Sequence, residues 1–152
     1  MDKFDKKILQ LLQQDCTPAV SEIAKQVGLS TTPCWRRIQA LEKSGVIKGR
    51  VAIADPEKLN VGLTVFVTIK TNQHNPQWLN DFRKVANDFK EIVEFYRMSG
   101  EVDYLLRVVV PDMKAYDTFY RKLITRANFS DISSSFAMEE IKYTTALPVE
   151  YT

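Results

Sequence analysis

The sequence predicts an α+β chain in two parts. An N-terminal helix-turn-helix domain (winged-helix-like) is followed by a C-terminal ferredoxin-like βαββαβ domain. Three observations carry this. Residues 1–47 hold three short segments with apolar residues at helical spacing. Residues 63–143 switch to β-branched and aromatic runs that alternate with helical segments in the order β-α-β-β-α-β. Between them lies a turn-rich junction, DPEKLNVG. The reading divides the chain into residues 1–50, a linker strand and hinge over 51–62, and a second domain over 63–152.

The first helix has Asp2 or Asp5 at its start and an apolar stripe of Phe4, Ile8, Leu11 and Leu12. It ends near Asp15, before Thr17 and Pro18. Val20, Ile23, Ala24 and Val27 fall at i, i+3, i+4, i+7, one face of a second helix. Gly28 stops it, because glycine takes positive φ without steric cost. Ser30 or Thr32 caps the third helix and Pro33 falls in its first turn, where the missing N–H does little harm. Gly45 ends it near Ser44.

On a wheel of ~100° per residue, Cys34, Ile38 and Leu41 share one face of this third helix. Thr32, Arg36, Gln39 and Lys43 lie opposite, with Trp35 and Arg37 on the flanks. Two helices joined by a glycine turn, the second presenting polar and basic groups outward, describe a DNA reader: guanidinium and amide donors reach base edges while the inner face stays in the core. The charge distribution agrees. Residues 1–55 carry nine Lys/Arg against six Asp/Glu, and residues 56–152 carry twelve against thirteen. A net charge of +2 would not by itself argue for nucleic acid, but the basic excess is local to the reader.

After Gly45, Val46 and Ile47 close the small core, and GRVAIAD alternates as a strand ended by Pro56. LTVFVTIKT is a buried strand. Asn75-Pro76 starts a helix with Trp78, Leu79, Phe82, Val85, Ala86 and Phe89 inward. Ile92–Met98 and Tyr104–Val110 are strands joined by the turn Ser99–Asp103. Met113–Ala127 is a helix and Ile132–Tyr143 the last strand. Phe66, Phe95, Tyr96, Leu105 and Phe136 make both sheet faces apolar, so the face without helices is expected to be covered by a second subunit.

No apolar run approaches the ~18 residues a membrane span needs, and MDKFDKKILQ is charged from the start, unlike a signal peptide. The expected location is cytoplasmic, with no membrane partner. Two cysteines and one histidine offer no metal site, catalytic constellation or cofactor loop. His74, in TNQHNP, reads as a solvated loop residue.

DKKILQLLQQD, VGLSTTPCWRRIQALEKSGVIKG, DPEKLNVGL, SGEVDYLLRVVVPDM and SSSFAMEEIKYTTALP, in that order, resemble the Lrp/AsnC family of leucine- and asparagine-responsive regulators over nearly the whole chain. TTPCW, KGRVAIADPEKL and SSFAMEEIKYTTALP resemble its DecR-type subgroup of enterobacterial regulators, which is associated with cysteine. The resemblance implies a transcription regulator of amino-acid metabolism that binds double-stranded DNA, associates with the nucleoid and assembles as a homodimer and an octamer, a tetramer of dimers. It implies that Thr32, Arg36, Gln39 and Lys43 contact base edges or nearby phosphates, and Ser30 and Arg37 phosphates. Trp35 replaces an aliphatic residue common there; it either plugs the core, the favoured reading, or contacts the sugar-phosphate backbone. The resemblance also implies a small amino-acid effector such as cysteine, leucine or methionine, bound near Gly100–Tyr104 at the interface between dimers. Asp103 would take its ammonium, the amides near Gly100 and the hydroxyls of Ser133, Ser134 and Ser135 its carboxylate, and Met98 and Tyr104 its side chain.

Overall fold

The structure, a computed structural model, describes residues Met1–Thr152. It divides into two compact units: Met1–Ile53 with Ile141–Thr152, and Ala54–Glu140.

Three helices make the first unit: α1 (Lys3–Gln14), α2 (Val20–Val27) and α3 (Thr31–Lys43). Each starts or stops where the sequence supplies the chemistry. The Asp2 carboxylate accepts from the N–H groups of Phe4 and Asp5, and the Asp5 carboxylate accepts from the Asp2 N–H in return, a capping box. Gly28 closes α2 at φ +81°, and its N–H returns to the Ala24 carbonyl. One buried cluster joins the three: Ile8 of α1, Ile23, Ala24 and Val27 of α2, and Cys34, Ile38 and Leu41 of α3.

Two differences from the sequence reading fall at the edges of this unit. GRVAIAD is not a strand: residues 48–55 join no backbone ladder in the chain, and Val51 and Ile53 are 81% and 67% exposed. Alternation makes a segment competent for a ladder, but a strand exists only where a neighbour supplies its hydrogen bonds. The C-terminal residues 141–152 belong to the first unit rather than the second. The Gln13 side-chain amide brackets Leu147, accepting from its N–H at 2.7 Å and donating to its carbonyl at 3.1 Å. Val149 is buried, and Lys6 donates to the Thr152 carbonyl.

The second unit is β1 (Leu63–Lys70), α4 (Pro76–Asp88), β2 (Ile92–Arg97), β3 (Tyr104–Val110), α5 (Met113–Arg126) and β4 (Asp131–Phe136). The sheet order is β2-β3-β1-β4, every pair antiparallel, the split βαβ arrangement. The Asn75 and Asp112 side chains cap α4 and α5 through the N–H groups of Trp78 and Ala115. Val65, Val67 and Ile69 of β1 and Tyr104, Leu106, Val108 and Val110 of β3 bury one face with Phe82, Phe119 and Leu123 of the helices.

β4 ends at Phe136 rather than Tyr143: Phe136 pairs with Val65, one more bond runs from the Ala137 N–H to the Thr64 carbonyl, and β1 itself begins at Leu63, so nothing is left to pair residues 139–143; Met138 is almost fully exposed. The face without helices is also less apolar than expected. Phe95 and Phe136 pack inward, against Phe82 and Tyr116. The register leaves Phe66, Leu105 and Tyr96 on the open face, interleaved with Thr64, Thr68, Ser133 and Ser135 and an Arg107–Glu94 ion pair of 2.9 Å. The irregularity between Ile92 and Glu94 turns β2 so that Phe95 faces the helices.

The C-terminal segment is thus a structural part of the three-helix unit. Truncation after Tyr143 removes Val149 and both Gln13 bonds, and is expected to cost about 1–3 kcal/mol. Differential scanning calorimetry should show the melting transition fall by several degrees, with Gln13→Ala reproducing a smaller part of it.

Candidate functional site

α3 is positioned by what it buries. Cys34, Ile38 and Leu41 are held in the three-helix core, and burial pushes the Cys34 thiol up. Thr32, Arg36, Gln39 and Lys43 are therefore turned to solvent. Ser30 is the backbone cap, yet its hydroxyl makes no capping hydrogen bond. Gln39 donates to Glu42 at 3.0 Å, and Glu42 pairs with Arg50 at 2.8 Å. Arg36 and Lys43 enter no ion pair.

Arg37 and Trp35 sit differently from what the wheel suggests. The Arg37 guanidinium is 2.7 Å from both Asp2 and Asp5 and lies over the Phe4 ring at 5.4 Å. Its charge is spent on two carboxylates of α1, which raise its pKa, Asp5 foremost. The fork geometry of a guanidinium suits this double pairing. Trp35 is not a core plug. Its side chain is 51% exposed and enters no aromatic pair, cation–π contact or hydrogen bond. The core positions on this stretch of α3 are filled by Cys34 and Ile38, and residue 35 lies ~100° and ~60° round the helix from them, at the edge of the buried face.

In the second unit a cavity of about 240 Å³ opens between the start of α4 and the β2–β3 turn. It is smaller than the ~300–1,000 Å³ typical of drug-sized ligands and suits a small metabolite. The turn is tight: the Met98 N–H donates to the Asp103 carbonyl at 2.8 Å, and Gly100 sits at φ +119°, where a side chain would be strained. The Asp103 carboxylate is fixed from one side. One oxygen accepts from the Thr71 N–H at 2.8 Å, while the other stands 3.9 Å from His74 Nδ1. Tyr104 packs its ring on Trp78, centroids 5.4 Å apart, so it is both core and pocket wall.

Of the expected effector residues, the structure brings Met98, Asp103 and Tyr104 to this cavity, with Gly100 in the adjoining turn. It does not bring the serines. β4 lies at the sheet edge opposite β2. Ser133 and Ser135 face the open side, and Ser134 turns inward to hydrogen-bond the Tyr116 hydroxyl. Three residues that the sequence reading passed over line the cavity instead: Arg97, Leu79 and His74. Arg97 pairs directly opposite Tyr104, and Ile69 does so from the other neighbouring strand. The hairpin register was the signal for Arg97. His74 enters because the loop after β1 starts beside that same position. No group of three His, Cys, Asp or Glu side chains is placed to hold a metal, and no helix is long and apolar enough to cross a membrane.

A helix-turn-helix unit joined to a small sheet domain with a polar metabolite-sized cavity defines a ligand-responsive DNA-binding regulator. Comparisons with known proteins give the family. Residues 1–48 match the model for winged helix-turn-helix DNA-binding, and residues 64–147 that for the Lrp/AsnC ligand binding domain. The chain is 52% identical over 151 residues to the DNA-binding transcriptional activator DecR of Escherichia coli, covering 99% of each. It superposes with a TM-score of 0.97 on an AsnC family transcriptional regulator from Agrobacterium tumefaciens, at 60% identity and 99% coverage of both chains. It superposes at 0.94 on a Neisseria meningitidis transcriptional regulator in complex with L-methionine, at 34% identity, covering 99% of this chain and 98% of that one. The chain belongs to the Lrp/AsnC family. It is a DNA-binding transcriptional regulator that carries an amino-acid ligand-binding domain.

The Asp2–Arg37–Asp5 cluster gives a pH signature. The Asp5 backbone N–H, followed by Arg37, holds the Asp2 carboxyl below its ordinary value of 3.8. A depressed folded pKa contributes stability that is present above 3.8 and lost as the pH falls through the lower folded value. Asp2→Asn keeps a good cap but removes the charge. Its melting temperature should lie below that of the unaltered protein at pH 7, and the gap should close below the ordinary carboxylate range. A gap constant from pH 7 to pH 2.5 would contradict the assignment.

Proposed function

We propose that the cavity of the second unit is the effector site and that it takes a free α-amino acid. The observation that carries this is the pairing of two opposite charges on one small cavity. Asp103 lines it with one oxygen held by Thr71 and the other 3.9 Å from His74 Nδ1, and Arg97 lines it without an ion-pair partner. An amino acid presents an ammonium and a carboxylate a few ångströms apart. Asp103 receives the ammonium in a charge-assisted bond, and Arg97 receives the carboxylate, with the turn amides around Gly100 beside it. Leu79, Met98 and Tyr104 meet the side chain. This replaces the serine hydroxyls as the carboxylate partners. Cysteine, leucine and methionine are the first effectors to try. Methionine is the ligand named for the N. meningitidis relative.

On the DNA side, Arg36, Thr32 and Gln39 face base edges, and Lys43 and Ser30 the phosphates. Arg37 acts from behind, fixing α3 on α1. The open face bearing Phe66, Leu105 and Tyr96 supports pairing with a second copy, and assembly of four such dimers into an octamer in the cytoplasm, on the nucleoid, completes the reading. An effector that binds one assembly better than another shifts their populations, and with them the spacing of reader helices offered to DNA.

Thermal melting against each of the twenty amino acids tests the site. A ligand that binds only the folded protein raises the midpoint, by about 2.7 kcal/mol of stability at a hundredfold excess over its Kd. One amino acid should do so. Asp103→Asn, which keeps an acceptor for Thr71, and Arg97→Gln should each abolish the rise while DNA binding without effector is unchanged. A full response in both variants would refute the site. Silence across all twenty would favour a purely architectural DNA protein. On the DNA side, Arg36→Ala should weaken specific binding about tenfold to a hundredfold and relax discrimination against scrambled DNA, whereas Lys43→Ala should lower the salt slope by about 1, both read by fluorescence anisotropy.

A further inference from the structure

Trp35 is an expensive residue to leave in water without a reason. Its indole is half exposed, in the middle of the helix that reads DNA, and it enters no hydrogen bond, aromatic pair or cation–π contact. Isolated exposed apolar residues are ordinary on protein surfaces, so position has to carry the argument. Two neighbours fix that position. Arg37, ~160° round the helix from Trp35, is clamped to Asp2 and Asp5, which identifies its flank as the one against the start of α1. Glu42, two turns after Trp35 and within ~20° of it, pairs with Arg50 of the segment that leaves α3. Trp35 therefore stands on the flank away from the start of α1, ~70° from the middle of the outward face formed by Thr32, Arg36, Gln39 and Lys43.

A helix lying in the major groove puts its outward midline on base edges and its flanks along the groove walls, which are sugar and phosphate. A residue ~70° from the midline meets a wall. Indole chemistry fits one. The ring face packs on deoxyribose C–H groups, and Nε1–H, with no acceptor inside the protein, donates to a phosphate oxygen. We infer that Trp35 is a DNA-backbone contact that wedges α3 against one wall of the groove, setting the register in which Arg36 and its neighbours meet the bases. The inference rests on the placement of the outward face of α3 against DNA.

The test is anisotropy titration of the full-length protein, with Trp35→Ala, Trp35→Phe and Arg36→Ala, on a duplex obtained by selection from random sequence and on a scrambled duplex. Trp35→Ala should weaken binding to both duplexes by a similar factor of about ten. The slope of log affinity against log salt should stay unchanged, because indole carries no charge. Its melting temperature should match that of the unaltered protein. Trp35→Phe, which keeps a ring and loses the donor, should fall between. In a Trp78→Phe background, Trp35 fluorescence should change on adding DNA. A loss confined to the selected duplex would make Trp35 a base reader and overturn the inference. Unchanged affinity and unchanged fluorescence would make it a spectator, and a fall in melting temperature accounting for the lost binding would make it structural; both overturn it. If Arg36→Ala also has no effect on either duplex, the placement of α3 itself is wrong.

Discussion

The reader depends on one constraint: α3 cannot rotate. Cys34, Ile38 and Leu41 are locked into a core with Ile8, Ile23, Ala24 and Val27, and turning the helix by a single residue would bury Arg37 in one direction, or Gln39 and Glu42 in the other, in their place. An uncompensated charge there would cost far more than the whole unit can spare. Arg37 adds a second lock from outside, bridging to both carboxylates of the α1 capping box. The same two aspartates thus start α1 and orient α3. Everything the outer face offers to a base pair follows from this fixed rotation.

The second unit solves a different problem, bringing distant residues to one small cavity. Antiparallel pairing does it. Tyr104 sits between Ile69 and Arg97 in the register, so the loop after β1, the start of α4 and the β2–β3 turn meet at one end of the sheet. Thr71, itself buried, donates its N–H to one Asp103 oxygen and leaves the other beside His74. A strand slip of one residue would turn Tyr104 out of the aromatic cluster with Trp78 and Phe82, and would dismantle the cavity with it.

Much of this was legible in the sequence because the signals are local. Helical spacing gave α1 to α3, Gly28 and Asn75-Pro76 marked boundaries, and β-branched runs marked the strands. What was not legible is pairwise. GRVAIAD has a strand pattern but no partner in the chain, and the last strand stops where β1 runs out. Arg37 looks like a phosphate contact until Asp2 and Asp5 are seen beside it. Ser133 to Ser135 form a polar run, yet alternation sends Ser134 to Tyr116 and the other two to the open face. Arg97 and His74 have no motif of their own, and only the sheet register delivers them to Asp103. Trp35 departs from family habit, and its exposure shows that the departure lies on the outside of α3.

The central claim is that a ligand held by the second unit changes what the first unit does to DNA. The most direct measurement is a DNA titration at fixed salt, by anisotropy and gel shift, on the region upstream of the protein's own gene. It is run with and without each amino acid, cysteine first. The account predicts a specific complex whose affinity or stoichiometry changes with one amino acid, and a change that disappears in Asp103→Asn. Specific binding that no amino acid alters, or an effect that survives that substitution intact, would contradict it.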